Sequence, residues 1–267
     1  VLPHAKRRTV GPFVFFDHMG PAEFGPGEGI EVRPHPHIGL ATVTYLFDGG
    51  ILHRDSLGSR QRIEPGAVNW MVAGRGIVHS ERPPDFDPPR AMTMEGIQTW
   101  VALPQADEET APSFHHHPAD TLPCLSRGGV EYRVIAGTAF GETAPVEVFS
   151  GTMYLHAEAP DGSVVALPDE HAERAVYVVN GAVEIDGTPY GANTMVVLAD
   201  GAALDIVACG DSRLMLVGGA PLDGPRHIWW NLVSSTPARI EAAKRLWKSG
   251  GFGTVPGDEA EFIPLPE

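Results

Sequence analysis

Short runs of β-branched and aromatic residues recur along this chain, each closed by glycine, proline or aspartate. FVFFD (13–17), ATVTYLF (41–47), VNWMV (68–72) and IQTWVAL (97–103) are the first four. Runs of this kind are strand signals, and the residues between them supply turns. The 31 glycines and 25 prolines are scattered singly, as a chain with many turns requires. No helical periodicity intervenes over this stretch, so the pattern predicts an all-β sandwich or barrel.

The polar, proline-flanked segment PQADEETAPSFHHHPADTLP (104–123) interrupts the series and reads as an inter-domain linker. A second β series follows, in YRVIAG (132–137), VEVFSGTMYLHAE (146–158), SVVALP (163–168), RAVYVVNGAVEIDG (174–187), NTMVVL (193–198), ALDIVA (203–208) and RLMLVGG (213–219). Within it, VVNGAVEIDG reads as a hairpin turning at Asn180-Gly181, because Asn-Gly accepts the positive φ angles of a tight turn. Two β-rich halves of similar length hint at an internal duplication. One helix is expected near the end, with Thr236 as cap and Pro237 at its first position. Ile240, Ala243, Leu246 and Trp247 fall on its broad apolar face, and Gly250 closes it. The final GFGTVPGDEAEFIPLPE is expected to be irregular. These readings divide the chain into an N-terminal barrel (1–118), a C-terminal barrel (119–225) and a helix with its tail (226–267).

The formal net charge of -15, with no run of Lys and Arg, argues against direct nucleic-acid binding. Cys124 and Cys209 form neither a disulfide framework nor a zinc motif, which fits a reducing, cytoplasmic setting. The opening VLPHAKRRTV lacks the apolar region of a secretory signal. No apolar run reaches the roughly 18 residues a membrane helix needs, so no membrane association is expected.

The chemistry concentrates in two stretches. RPHPHIGLATVTYLFDGG, beginning at Arg33, sets His35 and His37 on either side of Pro36, and GRGIVHSE sets His79 and Glu81 at the same spacing. Side chains alternate faces along a strand, so each pair shares a face if its stretch is extended. Pro36 favours extension before it and, lacking an amide, suits a strand end or edge. If the two strands are neighbours, three imidazoles and one carboxylate converge. Such N/O donors suit iron, manganese, cobalt, nickel, copper or zinc, and four of them leave two open positions on a six-coordinate ion. Spacing alone leaves open whether these are metal ligands or ordinary surface and core histidines.

HPHIGLATVTYLFDGG and PGAVNWMVAGRGIVHSE together resemble the two signatures of the pirin family, within the cupin superfamily. FDHMGP (16–21), EGIQTWVALP (95–104) and RHIWWN (226–231) also resemble bacterial pirins. The resemblance implies a bicupin, that is, two jelly-roll-like cupin β-barrels with a C-terminal helix. It also implies a metal in the N-terminal barrel held by His35, His37, His79 and Glu81. Two positions depart from the family pattern. Ile38 stands where the signature has Arg, and Ala41 where it has Glu, so the carboxylate ligand falls to Glu81.

The remaining histidines carry weaker readings. His156 and His171 stand singly in a second barrel expected to be degenerate and metal-free. The run His115–His117 is expected in a solvated loop of the linker. His18 and His53 are candidates for orienting a metal-bound imidazole, or are ordinary turn residues. Trp70, Met71 and Trp100 line a pocket or are plain core. Neither cysteine has basic sequence neighbours that would activate a thiolate.

Two functions follow from the resemblance. One is a metal-dependent dioxygenase of quercetinase type acting on flavonol-like, enolisable substrates, with Glu81 as the catalytic proton acceptor. It would use one divalent metal ion, iron first, with Mn, Ni, Co, Cu or Zn as alternatives. The other is a non-enzymatic, metal-dependent redox-sensing protein that binds a protein partner.

Overall fold

The computed structural model describes residues 1–199 and 204–266. Among them the chain is built of antiparallel strands, with one α-helix near the C-terminus. It forms two compact units. One comprises Val1–His18 and Asp120–Leu222, and the other Met19–Ala119 and Asp223–Glu267.

The second of these carries the paired histidine motifs. Its strands are the latter part of β1 (Phe13–Phe24), then β2 (Val32–His37), β3 (Leu40–Asp48), β4 (Ile51–Asp55), β5 (Arg60–Ile63), β6 (Val68–Val72), β7 (Ile77–Arg82), β8 (Met92–Ala102) and β9 (Ser113–His117). They form two sheets, ordered β1-β8-β3-β6-β9 and β2-β7-β4-β5. Leu46, Ile51, Ile63, Met92 and Met94 come from both sheets and pack into one buried cluster. Burying each such side chain is worth about 1.5–3 kcal/mol, which holds the sheets face to face. The segment expected as a linker contributes β9, whose residues pair with β6 from Val68↔His117 to Val72↔Ser113. The run His115–His117 is therefore strand and not loop. The pairing amides of β6 would otherwise lack partners, and the polar composition of the segment concealed this edge position.

The other unit holds β10 (Cys124–Arg127), β11 (Val130–Ala139), β12 (Glu142–Thr143), β13 (Thr152–Ala159), β14 (Glu173–Asn180), β15 (Ala182–Ile185), β16 (Thr188–Gly191), β17 (Thr194–Val197), β18 (Ile206–Ala208) and β19 (Ser212–Gly219). The large sheet runs β10-β11-β13-β19-β14-β17, with β12 on β11, and a small sheet runs β16-β15-β18. Tyr132, Leu155, Val176, Val183, Ile206 and Leu216 belong to its buried core. Phe13 and Phe16 of β1 add ring contacts to Tyr154 and Tyr177 at 5.5 and 4.7 Å.

Several strand expectations change here. Asn180-Gly181 does not close a hairpin, because β14 pairs with β17 and β19 while β15 pairs with β16 and β18. Gly181, at φ +79°, instead turns the chain from one sheet into the other. The tight hairpin lies at Asp186-Gly187, where both φ angles are positive, as the two-residue turn demands. SVVALP contains only an isolated bridge from Val164 to Val207. Of ALDIVA, Ala203 lies outside the described residues, and the strand begins at Ile206.

The C-terminal segment packs within the histidine-bearing unit. After β20 (His227–Trp229) and β21 (Leu232–Ser234), helix α1 spans Pro237–Lys248. Ile240 and Ala243 bury against Ile38 and Leu232, and Trp247 against Val78 and Val255. Pro237 occupies the first turn as expected, but Thr236 makes no side-chain cap bond, and Leu246 is exposed. Gly250, at φ +72°, donates its N–H to the Trp247 carbonyl. The irregular tail is pinned down. Arg82 donates to both oxygens of Asp258 at 2.7 and 2.6 Å, Trp247 Nε1 to the Ile263 carbonyl, and Ile263 N to the Pro34 carbonyl.

Two outcomes test this arrangement. Gly39 joins β2 to β3 at φ +68°, and a Cβ there would lie 2.1 Å from the Val233 carbonyl oxygen. Gly39→Ala should cost about 2 kcal/mol or more in denaturant unfolding. The hydrogen bonds from Arg82 hold the Asp258 carboxyl below its ordinary 3.8. The stability this supplies is full above that value and is lost as pH falls through the lower, folded-state value. Asp258→Asn should therefore lower the melting temperature at pH 7, and the gap to wild type should close on acidification.

Candidate metal centre

Strand β7 lies between β2 and β4. His35 stands directly opposite His79 on one side, and Asp55 stands opposite it on the other. The two-residue spacing carries His37 onto the face of His35, and Glu81 onto the face of His79. One ring nitrogen from each of His35, His37 and His79 lies within 4.8 Å of the other two. The three residues are 6%, 1% and 2% exposed. The Nε2 atoms of His37 and His79 are 3.1 Å apart.

The backbone sets the tautomers. His35 Nδ1 donates to the Arg33 carbonyl at 2.9 Å, and His37 Nδ1 donates to the Asn231 carbonyl at 3.1 Å. Both rings therefore carry a lone pair on Nε2. Metal-bound imidazoles ordinarily have their second nitrogen tied down in this way. His79 Nδ1 is buried and has no hydrogen-bond partner among the described residues. With the proton of His79 on Nδ1, its Nε2 lone pair faces that of His37, and a cation shared by the facing nitrogens relieves this crowding. Burial lowers the pKa of all three. His35 falls to about 4, and His37 and His79 lie well below the usual value, with mutual repulsion adding to the effect. The trio is thus neutral at pH 7, the state a metal requires of imidazole.

Glu81 lies outside this trio. It is 6% exposed, and its Oε1 accepts a hydrogen bond from Gln98 Nε2 at 2.5 Å. Burial raises its pKa to about 7 against the opposing pull of that bond. Trp100 of β8 packs its ring edge-on to His37 at 5.3 Å, while Trp70 is core. Met71 is buried core on β6, opposite Phe114.

His53 is held by Asp55, with Nε2 3.0 Å from Oδ2, and it lies 5.3 Å ring to ring from His79. Phe114 stacks on its other side at 4.2 Å. Asp55 Oδ1 in turn accepts from the amides of Leu57 and Ser59. His18 bonds Tyr177 and Asn193 in the other unit and takes no part. In that unit His156 pairs with Glu158, and His171 contacts Thr138. Neither stands in a metal-type cluster, among the described residues.

Sequence reasoning missed Gln98, Asp55 and Phe114. Gln98 sits two residues before Trp100 on the same strand face, and that alternation was the signal for it. The Asn231 carbonyl carries no side-chain signature at all.

Two cupin-type domains, the first with a buried three-histidine cluster suited to a metal ion, define a bicupin. Residues 1–101 match the family model for pirin, and residues 154–253 match the one for the pirin C-terminal cupin domain. The chain is 51% identical over 273 residues to a pirin-like protein of Caulobacter vibrioides, covering 100% of this chain and 93% of the relative. It is similar to the solved structure of quercetin 2,3-dioxygenase from Acinetobacter baumannii, with 34% identity and a TM-score of 0.91, covering 100% of this chain and 88% of that one. The bacterial pirin YhhW from Escherichia coli, solved in complex with nickel(II), shares the fold at 20% identity and a TM-score of 0.62, over 82% of this chain and 86% of that one. The chain belongs to the pirin family. No helix among the described residues is long and apolar enough to cross a membrane.

The cluster makes a direct forecast. Tag-free protein should carry one equivalent of divalent metal by elemental analysis, and His37→Ala should lose it. Full stoichiometry in that variant would contradict the assignment.

Proposed function

We propose that this chain is a metal-dependent dioxygenase of quercetinase type, acting on flavonol-like substrates with an enolisable hydroxyl. His35, His37, His79 and Glu81 would hold one divalent ion. The observation carrying this reading is a buried carboxyl two residues along β7 from a buried, neutral three-histidine cluster. Likeness to the quercetin 2,3-dioxygenase of Acinetobacter baumannii supports it.

When bound, the ion would supply Lewis acidity and a redox centre for reaction with dioxygen. Iron is the ion proposed. The imidazole and carboxylate donors also accept Mn, Ni, Co, Cu or Zn, so supply in the cell decides among them. The protein's own groups do the rest. Glu81 accepts the proton of the substrate hydroxyl, and Gln98 fixes one of its oxygens. Carbonyls of Arg33 and Asn231 hold the imidazoles in register. Trp100 and the apolar sheet faces exclude water. The free, exposed Cys124 and Cys209 agree with work in a reducing cytoplasm.

An oxygen electrode with a flavonol tests the proposal. Metal-loaded protein should consume oxygen, and Glu81→Gln at equal metal content should be slower by about 100-fold or more. Undiminished turnover in that variant would remove Glu81 from the chemistry. No uptake with any flavonol or catechol, alongside metal-dependent capture of a protein partner, would replace the enzyme with a regulatory module.

A further inference from the structure

Strand β9 ends the five-stranded sheet. It pairs with β6 along one edge, and no strand among the described residues pairs with the other. Its side chains alternate. Phe114 stacks on His53, and His116 Nδ1 meets Asn69 Oδ1 at 2.7 Å. His115 and His117 therefore share the opposite face, with ring centroids 6.5 Å apart and planes inclined by 37°. His115 is exposed and His117 is half-buried.

A further observation points to a ligand. His117 Nε2 is buried and finds no hydrogen-bond partner among the described residues. A ring nitrogen in that position is costly unless something binds it. Alternate residues on a strand stand roughly 7 Å apart, and two imidazoles at that spacing reach one cation through modest rotation about their side-chain bonds.

We propose that His115 and His117 form a second metal site, separate from the three-histidine centre, that takes a borderline divalent cation. The chemistry selects the class. Imidazole without carboxylate disfavours magnesium and calcium, and favours nickel(II), copper(II) or zinc(II). Two protein donors leave the remaining positions to water, so this site is the weaker of the two and exchanges its ion readily.

The test is a nickel(II) titration of full-length, tag-free, metal-stripped protein, read by calorimetry and by equilibrium dialysis with elemental analysis. Wild type should take two equivalents, the second more weakly. The double variant His115→Ala/His117→Ala should lose the second equivalent and keep the first. His37→Ala should lose the first and keep the second. His115→Ala alone changes only an exposed side chain, so it separates loss of the site from loss of the fold, and it too should lose the second equivalent. Persistence of that equivalent in His115→Ala would overturn the proposal, since the ion would then sit on other surface histidines such as His4 or His227. Uptake of a single equivalent by wild type in large nickel excess would also overturn it.

Discussion

Everything in the metal-bearing unit rests on one antiparallel pairing, that of β2 with β7. It sets His35 directly across from His79, and the period of two then brings His37 onto the same face. A slip of β2 by one residue in that register would turn His35 and His37 to the face opposite His79. Gly39 protects the register from one side, since its positive φ lets the chain leave β2 and enter β3 against the Val233 carbonyl. β4 protects it from the other by pairing Asp55 with His79 and His53 with Glu81. The local cost of crowding neutral imidazoles is met by the packing of two sheets around them.

Around that pairing lies a layer of groups that touch the histidines without belonging to the cluster. Backbone carbonyls fix the tautomers of His35 and His37. The His53–Asp55 pair and the Phe114 ring fill the space beside His79. Gln98 holds Glu81. Orientation is thus set by rigid backbone and by side chains buried on strands, which hold a site more precisely than loops do. Ile38, where the family signature has Arg, packs against Leu232, Ile240 and Ala243 and anchors the helix, so this departure is absorbed by apolar packing.

The legible part of the molecule was the part governed by short-range alternation. Strand runs around Phe13, Ala41, Val68 and Ile97 lie in strands, and the two H-x-[H/E] pairs bring three ring nitrogens together because period-two geometry is local. What eluded sequence reasoning depends on partners distant along the chain. Asn180-Gly181 has the composition of a hairpin turn, yet Gly181 packs beside Asp211 and Ser212 and redirects the chain between sheets. The polar segment around His115 hides a strand because an edge strand needs apolar residues on one face only. Thr236 looks like a cap, but its side chain makes no capping bond to the helix. Nothing in the composition of residues 223–266 announces that they pack with a barrel more than a hundred residues earlier.

That last feature bears on how the centre comes into being. The carbonyl that orients His37 belongs to Asn231, 194 positions downstream. A polypeptide emerging from the ribosome in order presents all three imidazoles long before this acceptor arrives. The hydrogen bond that orients His37 is therefore made only once the C-terminal segment has folded back onto β2.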